Sequence, residues 1–145
     1  EVDIFGLDCF KALKGKIKEI DKQDLPEWVV DSFRGGKYKT VITTEDVILY
    51  RVFGGNAKST GAFASTSKSI NAIQAKIDNA LLPEWKNTRV YEATINVPKG
   101  TVLNIGQVAP QKTLSGAILG GGADQVLMPQ NWSQNWITNV RILPL

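Results

Sequence analysis

The segment RVYEATINV at residues 89–97 alternates apolar and polar side chains. This is the period of an extended strand with one buried face and one solvated face. Residues 38–44 and 47–53 are also rich in β-branched and aromatic residues, which favour strands. Residues 45–46 separate these two runs, so we expect either a hairpin or two separate strands joined by a short helical turn.

Three shorter strand-like runs follow at residues 101–105, 125–128 and 136–143. In the last run we expect Ile137, Val140 and Ile142 to be the buried members. Residues 106–122 contain no regular period and are expected to be irregular.

Helical patterns occupy the front and the middle of the chain. Residues 7–20 carry apolar side chains at helical spacing with lysines between them, which predicts an amphipathic helix. Residues 24–28 have the composition of a helix start, and the glycines at 35–36 that of a helix stop. Residues 69–81 predict a third helix, which either Ser67 or Ser69 can cap and which Pro83 ends.

These patterns together predict an α+β fold with N-terminal helices and a core of short strands. With 145 residues, the chain is long enough for one domain with a sizeable core. We therefore expect a single domain over residues 1–145, with a helical N-terminal part at 1–36 and a ligand-binding core at 37–145. The chain begins without Met, which we interpret as a sign that it was excised from a longer protein.

Composition excludes several classes of function. The chain has no histidine and one cysteine, so it lacks the commonest general base, any Ser-His pair and a cysteine metal cluster. The formal net charge is only +3, and the basic residues are scattered, which argues against nucleic-acid binding. No apolar run approaches the roughly 18 residues of a membrane span. We expect no metal, no nucleic acid and no membrane span.

Two unusual segments remain. Residues 49–67 read LYRVFGGNAKSTGAFASTS, and residues 120–129 read GGGADQVLMP. Arg51 ends an apolar run, and its guanidinium presents a fork of donors suited to phosphate. Glycines such as Gly54 let backbone N–H groups approach a ligand closely. We expect the two segments to face each other across a cleft that holds a dinucleotide, with Gly54 among its contacts.

The order of these motifs resembles that of a known fold. The arginine, the Ser-Thr-Ser cluster and the late Gln-Val-Leu-Met-Pro run resemble the arginine, Ser-Thr-Ser and acidic motifs of the ADP-ribosyltransferase fold. The spaced pattern is similar to the tuberculosis necrotizing toxin family. It reads Arg-x-Phe-Gly, Gly-Ala-Phe, Ala-Leu-Leu-Pro, Val-Tyr-Glu, Gly-Gln-Val-Ala-Pro and Gly-Gly-Gly-x-x-Gln. That family comprises NAD(P) glycohydrolases at the C-terminal ends of secreted bacterial toxins, including contact-dependent inhibition proteins. The resemblance covers residues 50–129 and implies an ADP-ribosyltransferase-like split-sheet core.

The resemblance also implies roles for individual residues. Arg51 would bind the phosphates or the nicotinamide ribose, and Phe63 would pack against the nicotinamide. Ser65 and Thr66 would support the cleft by hydrogen bonds. Gln125 would stand where transferases keep their catalytic glutamate. Arg51 and Gln125 are thus the expected catalytic residues.

The sequence departs from the transferases at two positions. Gln125 is neutral, and Ala123 stands where arginine-modifying enzymes carry a second acid, which favours water over a protein as acceptor. The toxin family also uses a histidine near the Val-Tyr-Glu strand, where this chain has Arg89. Glu92 and Asp124 are the other acids near the motifs and remain candidates. A protein ADP-ribosyltransferase and a non-catalytic binding domain stay open as alternatives.

The same resemblance implies partners and a location. NAD or NADP would be the substrate, with no further cofactor. The domain would be secreted as the C-terminal part of a larger toxin and would act in the cytoplasm of the target cell. A producer must be protected from such an activity, so a tightly bound immunity protein is expected, and the domain is otherwise expected to be a monomer.

Overall fold

The computed structural model of the chain describes residues 11–55, 58–69, 87–112, 118–119 and 123–144. In that part, the backbone is mainly extended and contains a single short α-helix, α1 (Glu27–Val30). The strands form a five-stranded sheet, a three-stranded sheet and a two-stranded ribbon. In chain order, the strands are β1 (Ile17–Glu19), β2 (Phe33–Thr43), β3 (Val47–Gly55), β4 (Phe63–Ala64), β5 (Asn87–Val97), β6 (Val102–Val108), β7 (Gln111–Lys112), β8 (Ile118–Leu119), β9 (Asp124–Leu127) and β10 (Ile137–Ile142).

Two antiparallel sheets enclose one core. The first sheet has the order β1-β2-β6-β9-β4, and the second sheet has the order β10-β5-β3. Successive side chains of a strand project to opposite faces, so each sheet has one face available for a shared core. The strand residues of this core are Val41, Ala64, Leu103, Ile105 and Val126 of the first sheet and Val47, Leu49, Ala93, Ile95 and Val97 of the second. The alternation predicted for residues 89–97 is therefore confirmed by β5.

The runs on either side of residues 45–46 do not form a hairpin. β2 pairs with β1 and β6, whereas β3 pairs with β5. Residues 44–46 make only a bend that carries the chain from one sheet to the other. The alternative of two separate strands is therefore the one observed, without a helical turn between them.

The predicted α+β class with N-terminal helices is wrong, because the structure is mostly β-sheet. In the described part of the first predicted helix, residues 11–13 form a 3₁₀ turn and Ile17 begins β1. Gly15 between them has φ 77, a left-handed conformation that a helix does not continue through. Pairing of Ile17 with Thr43 provides hydrogen bonds that local helical spacing could not foresee.

The second predicted helix is reduced to the four residues of α1. Its N-cap is Pro26, which makes no side-chain capping bond. Gly35 and Gly36 have φ 65 and φ 66, but they lie inside β2, where its register with β6 shifts. The expected helical part at residues 1–36 is thus overturned where the structure describes it. The third predicted helix, at residues 69–81, lies outside the described residues from residue 70 onward.

The end of the chain corrects two further predictions. Val140 is 47% exposed and Ile142 is 71% exposed, so only Ile137 packs against the core as expected. The reason is position, because β10 is an edge strand that pairs only with β5 among the described strands. Residues 106–122 are also not wholly irregular, since they contain the end of β6 and the strands of the ribbon.

The segment before β2 covers the face of the first sheet that is turned away from the shared core, called the outer face below. Val29 of α1 packs there with Phe33 and Tyr38, and the two rings stack at 5.6 Å. The Tyr38 hydroxyl donates to the Gln23 carbonyl. Apolar contact and this hydrogen bond together hold the N-terminal segment on the outer face.

Candidate functional site

The register of β4 and β9 puts three of the predicted residues on one face. Phe63 pairs with Leu127. Cross-strand partners project to the same side, and sides alternate along each strand. Gln125 therefore lies on the outer face with Phe63 and Leu127. Ser65 lies two residues beyond Phe63, directly after β4, so its side chain is on the same side of the chain as Phe63.

The free edge of β4 is joined to the second sheet at Tyr50. The Tyr50 N–H donates to the Ser65 carbonyl at 2.8 Å, and the Ser65 N–H donates to the Tyr50 carbonyl at 2.7 Å. This bridge forms a seam between the two sheets. Arg51, the next residue of β3, consequently projects beside β4 at the seam.

The Arg51 guanidinium is held by two backbone carbonyls. Its Nε donates to the Lys58 carbonyl at 2.8 Å, and its Nη1 donates to the Phe63 carbonyl at 2.9 Å. Burial lowers the pKa of Arg51 to about 10, so the group is still cationic at neutral pH. Among the described residues no carboxylate forms an ion pair with it. A desolvated cation without an anion is costly, and a phosphate would complete its bonding.

Gly61 lies directly against this guanidinium. A Cβ atom at Gly61 would overlap Nη2, Cζ and Nε of Arg51. The Gly61 carbonyl accepts a hydrogen bond from the indole Nε1 of Trp132 at 2.9 Å, and Trp132 is buried. The glycine of the Gly-Ala-Phe motif is therefore required by the close approach of its backbone to Arg51.

Thr66 and Asp124 meet on the other side of the β4–β9 pair. The Thr66 hydroxyl donates to Asp124 Oδ2 at 2.8 Å. Burial raises the pKa of Asp124, and the hydrogen bond from Thr66 opposes that rise. Asp124 adjoins Gln125 in sequence but projects to the opposite face of β9. Thr66 thus supports the end of β9 rather than the face that carries Gln125.

The Gln125 side chain is tied to the N-terminal segment. Only 7% of this residue is exposed. Its Nε2 donates to Ser32 Oγ at 3.0 Å and to the Ser32 carbonyl at 3.3 Å. Among the described residues, the hydrogen bonds of its side chain are those of Nε2, and Oε1 receives none. Ser32 was not predicted as a site residue, because a single serine before a strand carries no distinctive pattern.

A cleft of about 1000 Å³ opens on the outer face beyond Leu127. Its described walls are the segment from Gln23 to Val29, the loop at residues 60–62 and residues 127–132, with Val102 and Asn104 at its base. None of the six predicted site residues is part of these walls. The cleft nevertheless adjoins them at two points, because Gly61 backs onto Arg51 and the Trp28 ring meets Phe63 edge-to-face at 6.5 Å.

Glu92 has a structural role on the second sheet. It is 1% exposed, and its Oε1 accepts from Arg141 Nε at 2.9 Å while its Oε2 accepts from the Ser69 N–H at 2.7 Å. Arg141 also donates to the Ser69 carbonyl. Glu92 pairs with Val52 across β3, on the face of β5 turned away from the core. It is therefore not placed to act with Gln125.

Two positions add little to this site. Gly54 is buried near the end of β3, where the register with β5 shifts between Phe53 and Gly55. The hydrogen bonds of the described residues do not join it to Phe63 or Gln125. Arg89 lies in β5, and its side chain is outside what the structure describes.

The described ranges contain no group of three or more His, Cys, Asp or Glu side chains arranged to hold a metal ion. No helix in the same ranges has the length and apolar character needed to cross a membrane.

Comparison with known proteins yields one informative likeness. No family model and no curated protein matches the sequence. Among solved structures, the chain is similar to Tne2, determined in complex with Tni2, with a TM-score of 0.61 and 17% sequence identity. The likeness covers 75% of this chain and 94% of the Tne2 chain. At this identity it shows a shared fold.

Proposed function

We propose that this chain is a toxin domain that hydrolyses NAD(P)+ to nicotinamide and ADP-ribose or its phosphorylated form. The observation that carries the proposal is the convergence of Phe63, Ser65 and Gln125 on one face of β4 and β9, beside the seam that Arg51 enters. These are the positions that the motif resemblance assigns to a dinucleotide site. The fold shared with Tne2 supports the coarser part of the proposal, that the chain is a toxin domain.

Arg51 would bind the anionic part of the substrate. Two of its donors hold the Lys58 and Phe63 carbonyls, which fix the plane of the guanidinium in advance. A guanidinium has five N–H donors, so donors remain for phosphate oxygens. Prior orientation of this kind lowers the entropy lost when the substrate binds.

Gln125 would act on the ribose beside the bond that breaks. Nicotinamide leaves as a neutral molecule that takes the bonding electrons, and the ribose carbon passes through an oxocarbenium-like state before water adds and a proton goes to solvent. The Oε1 atom of Gln125 would accept a hydrogen bond from a ribose hydroxyl that strengthens as this charge develops. The chemistry needs no histidine, because the leaving group carries the positive charge in the substrate.

The arrangement favours water over a protein as the acceptor. Ala123 stands two residues before Gln125, in the bend that precedes β9. It provides no carboxylate to activate a protein nucleophile, and Asp124 projects to the other side. A protein ADP-ribosyltransferase remains the second candidate, since Arg51 and Gln125 would bind NAD in the same way for either acceptor.

We also propose a protein partner and a site of action. Tne2 was determined in complex with Tni2, which supports an immunity protein for this domain. The net charge of +3 would favour an acidic partner. On the motif resemblance, the domain would be the secreted C-terminal part of a larger toxin, would act in the cytoplasm of the target cell, would be monomeric apart from its immunity complex, and would need no cofactor besides its substrate.

The test measures how fast the purified chain consumes NAD and NADP. The remaining dinucleotide is quantified through its fluorescent derivative. Gln125→Ala should reduce kcat by about 100- to 1000-fold, the usual effect of removing one preorganised hydrogen bond to developing charge. Arg51→Ala should raise KM for both dinucleotides, since it removes a phosphate ligand. Thr138→Ala is the matched control, because it removes an exposed 3.4 Å hydrogen bond of β10 to Thr94, and β5 separates β10 from β3, the strand that carries Arg51.

Full turnover by folded Gln125→Ala would exclude Gln125 from the mechanism. Transfer of label from NAD to a macromolecule, with little free ADP-ribose, would favour the transferase. If the folded chain, free of any inhibitor, consumes neither dinucleotide, the proposed hydrolase is excluded and a non-catalytic binding domain is the remaining candidate.

A further inference from the structure

We infer that Ser32 is a positioning residue, which fixes the orientation of the Gln125 amide so that Oε1 faces the substrate. This inference rests on the proposed function and extends its site into the N-terminal segment. Ser32 lies between α1 and β2, outside the region of the motif resemblance. Its two oxygens are the described partners of the Gln125 amide nitrogen.

The orientation of the amide follows from the chemistry of its partners. A backbone carbonyl can only accept hydrogen bonds, so the group 3.3 Å from the Ser32 carbonyl must be the donor end of the amide. The Ser32 hydroxyl donates its proton to the Val29 carbonyl, which leaves the lone pairs of Oγ to accept from Nε2. A flipped amide would set an oxygen against the Ser32 carbonyl, and the Ser32 hydroxyl could donate to that oxygen only by giving up its bond to the Val29 carbonyl. The contacts therefore disfavour the orientation in which Oε1 points at Ser32.

Ser32 is itself held from several sides. Its N–H donates to the Val29 carbonyl at 3.0 Å, and its carbonyl accepts from the Ala109 N–H at 3.0 Å. Val29 is buried with Phe33 in the cluster beneath α1. Ser32 is thus linked to the helix that precedes it and to the chain that leaves β6. It provides a fixed anchor rather than a mobile side chain.

A fixed anchor matters because a glutamine has two chemically different ends of similar shape. Only Oε1 can accept from a ribose hydroxyl, and rotation of the amide by half a turn would present donors instead. A carboxylate has two equivalent oxygens and would not need such a device. We conclude that the replacement of the transferase glutamate by Gln125 creates a need for orientation that Ser32 meets.

The experiment compares the full chain with Ser32→Ala and Ser32→Thr. Turnover of NAD is measured beside the side-chain amide resonances of Gln125, which are identified by their absence in Gln125→Ala. Ser32→Ala keeps the carbonyl but removes Oγ, so we expect the amide protons to shift and kcat to fall about 10- to 100-fold with little change in KM, as a misplaced catalytic group produces. Ser32→Thr retains the hydroxyl and should restore both. Thr138→Ala should change neither.

The outcomes separate this inference from the proposed function. A wild-type chain that turns over NAD while Ser32→Ala retains full kcat would overturn the positioning role alone. Unchanged amide resonances in Ser32→Ala would overturn the contact itself. If the wild-type chain cleaves no dinucleotide, the proposed function and the catalytic role of Ser32 fail together, while the amide shift still reports whether Ser32 holds Gln125.

Discussion

Replacement of Gly61 by alanine tests how Arg51 is held. The added Cβ would overlap three atoms of the guanidinium, so one side must move. The backbone of Gly61 is restrained, because its carbonyl is bound by the buried Trp132 and its N–H donates to the Lys58 carbonyl. Arg51 has the more flexible side chain and should be the group displaced.

The cost follows from the two hydrogen bonds that Arg51 would lose. Hydrogen bonds from charged donors contribute about 1.5–3 kcal/mol each. The Lys58 carbonyl lies on the exposed side and can be solvated, whereas the Phe63 carbonyl is partly buried. The bond to the Phe63 carbonyl therefore determines the loss, which is about 1.5–3 kcal/mol of the free energy of unfolding. For a chain of this length, that is a fall in Tm of roughly 5–10 °C.

Thermal and urea unfolding of a double-mutant cycle would measure this coupling. In the Arg51→Ala background the clash has no partner, so Gly61→Ala should change stability by less than about 0.5 kcal/mol. The coupling energy between the two positions should then equal most of the single-mutant loss. Additive effects of the two substitutions would show that Gly61 does not act through Arg51 and would refute the argument.

Two further predictions concern the acids Asp124 and Glu92. Folding raises the pKa of Asp124, so the folded state binds the carboxyl proton more tightly than the unfolded state does. The contribution of Asp124 to stability is therefore most favourable below the ordinary aspartate pKa. That contribution falls as the pH rises through the raised pKa of the folded state. Asp124→Asn keeps an acceptor for Thr66, so we expect a higher Tm at neutral pH and a gain that disappears below about pH 4; a gain independent of pH would contradict this cause. Arg141→Met leaves the Glu92 carboxylate buried and without its cation, which should lower the free energy of unfolding by about 3–5 kcal/mol. Adding Glu92→Gln to Arg141→Met should recover part of that loss in urea titrations, and no recovery would show that the charge of Glu92 is not the cause.

The sequence alone predicts those features that depend on a short segment or on composition. The alternation at residues 89–97 predicts a strand because every second side chain of a strand lies on the same face. In β5 one of these faces is buried in the core. The residue types at Arg51, Phe63 and Gln125 also predict a ligand-binding site, which stays a prediction. The lack of histidine excluded every mechanism that depends on an imidazole base or ligand, on composition alone.

Only the tertiary structure determines which strands pair and which of their side chains are buried. Nothing within residues 38–53 specifies that β2 and β3 enter different sheets, because their partners lie far along the chain: Tyr38 pairs with Gly106 of β6, and Val47 pairs with Val97 of β5. Ile17 follows helical spacing, yet the backbone of β2 is available beside it, so it forms a strand. Val140 and Ile142 look like core residues but belong to an edge strand.

The candidate site also depends partly on residue types that the sequence shows and partly on the tertiary structure. Phe63 and Gln125 were recognisable as residue types, but only the register of β4 with β9 decides that they share a face and that Asp124 does not. Ser32 had no signal at all, because a serine becomes a positioning group only through what the fold sets against it. Strand propensity and side-chain chemistry are local properties, whereas register, edge position and hydrogen-bond partners depend on residues far apart in the chain.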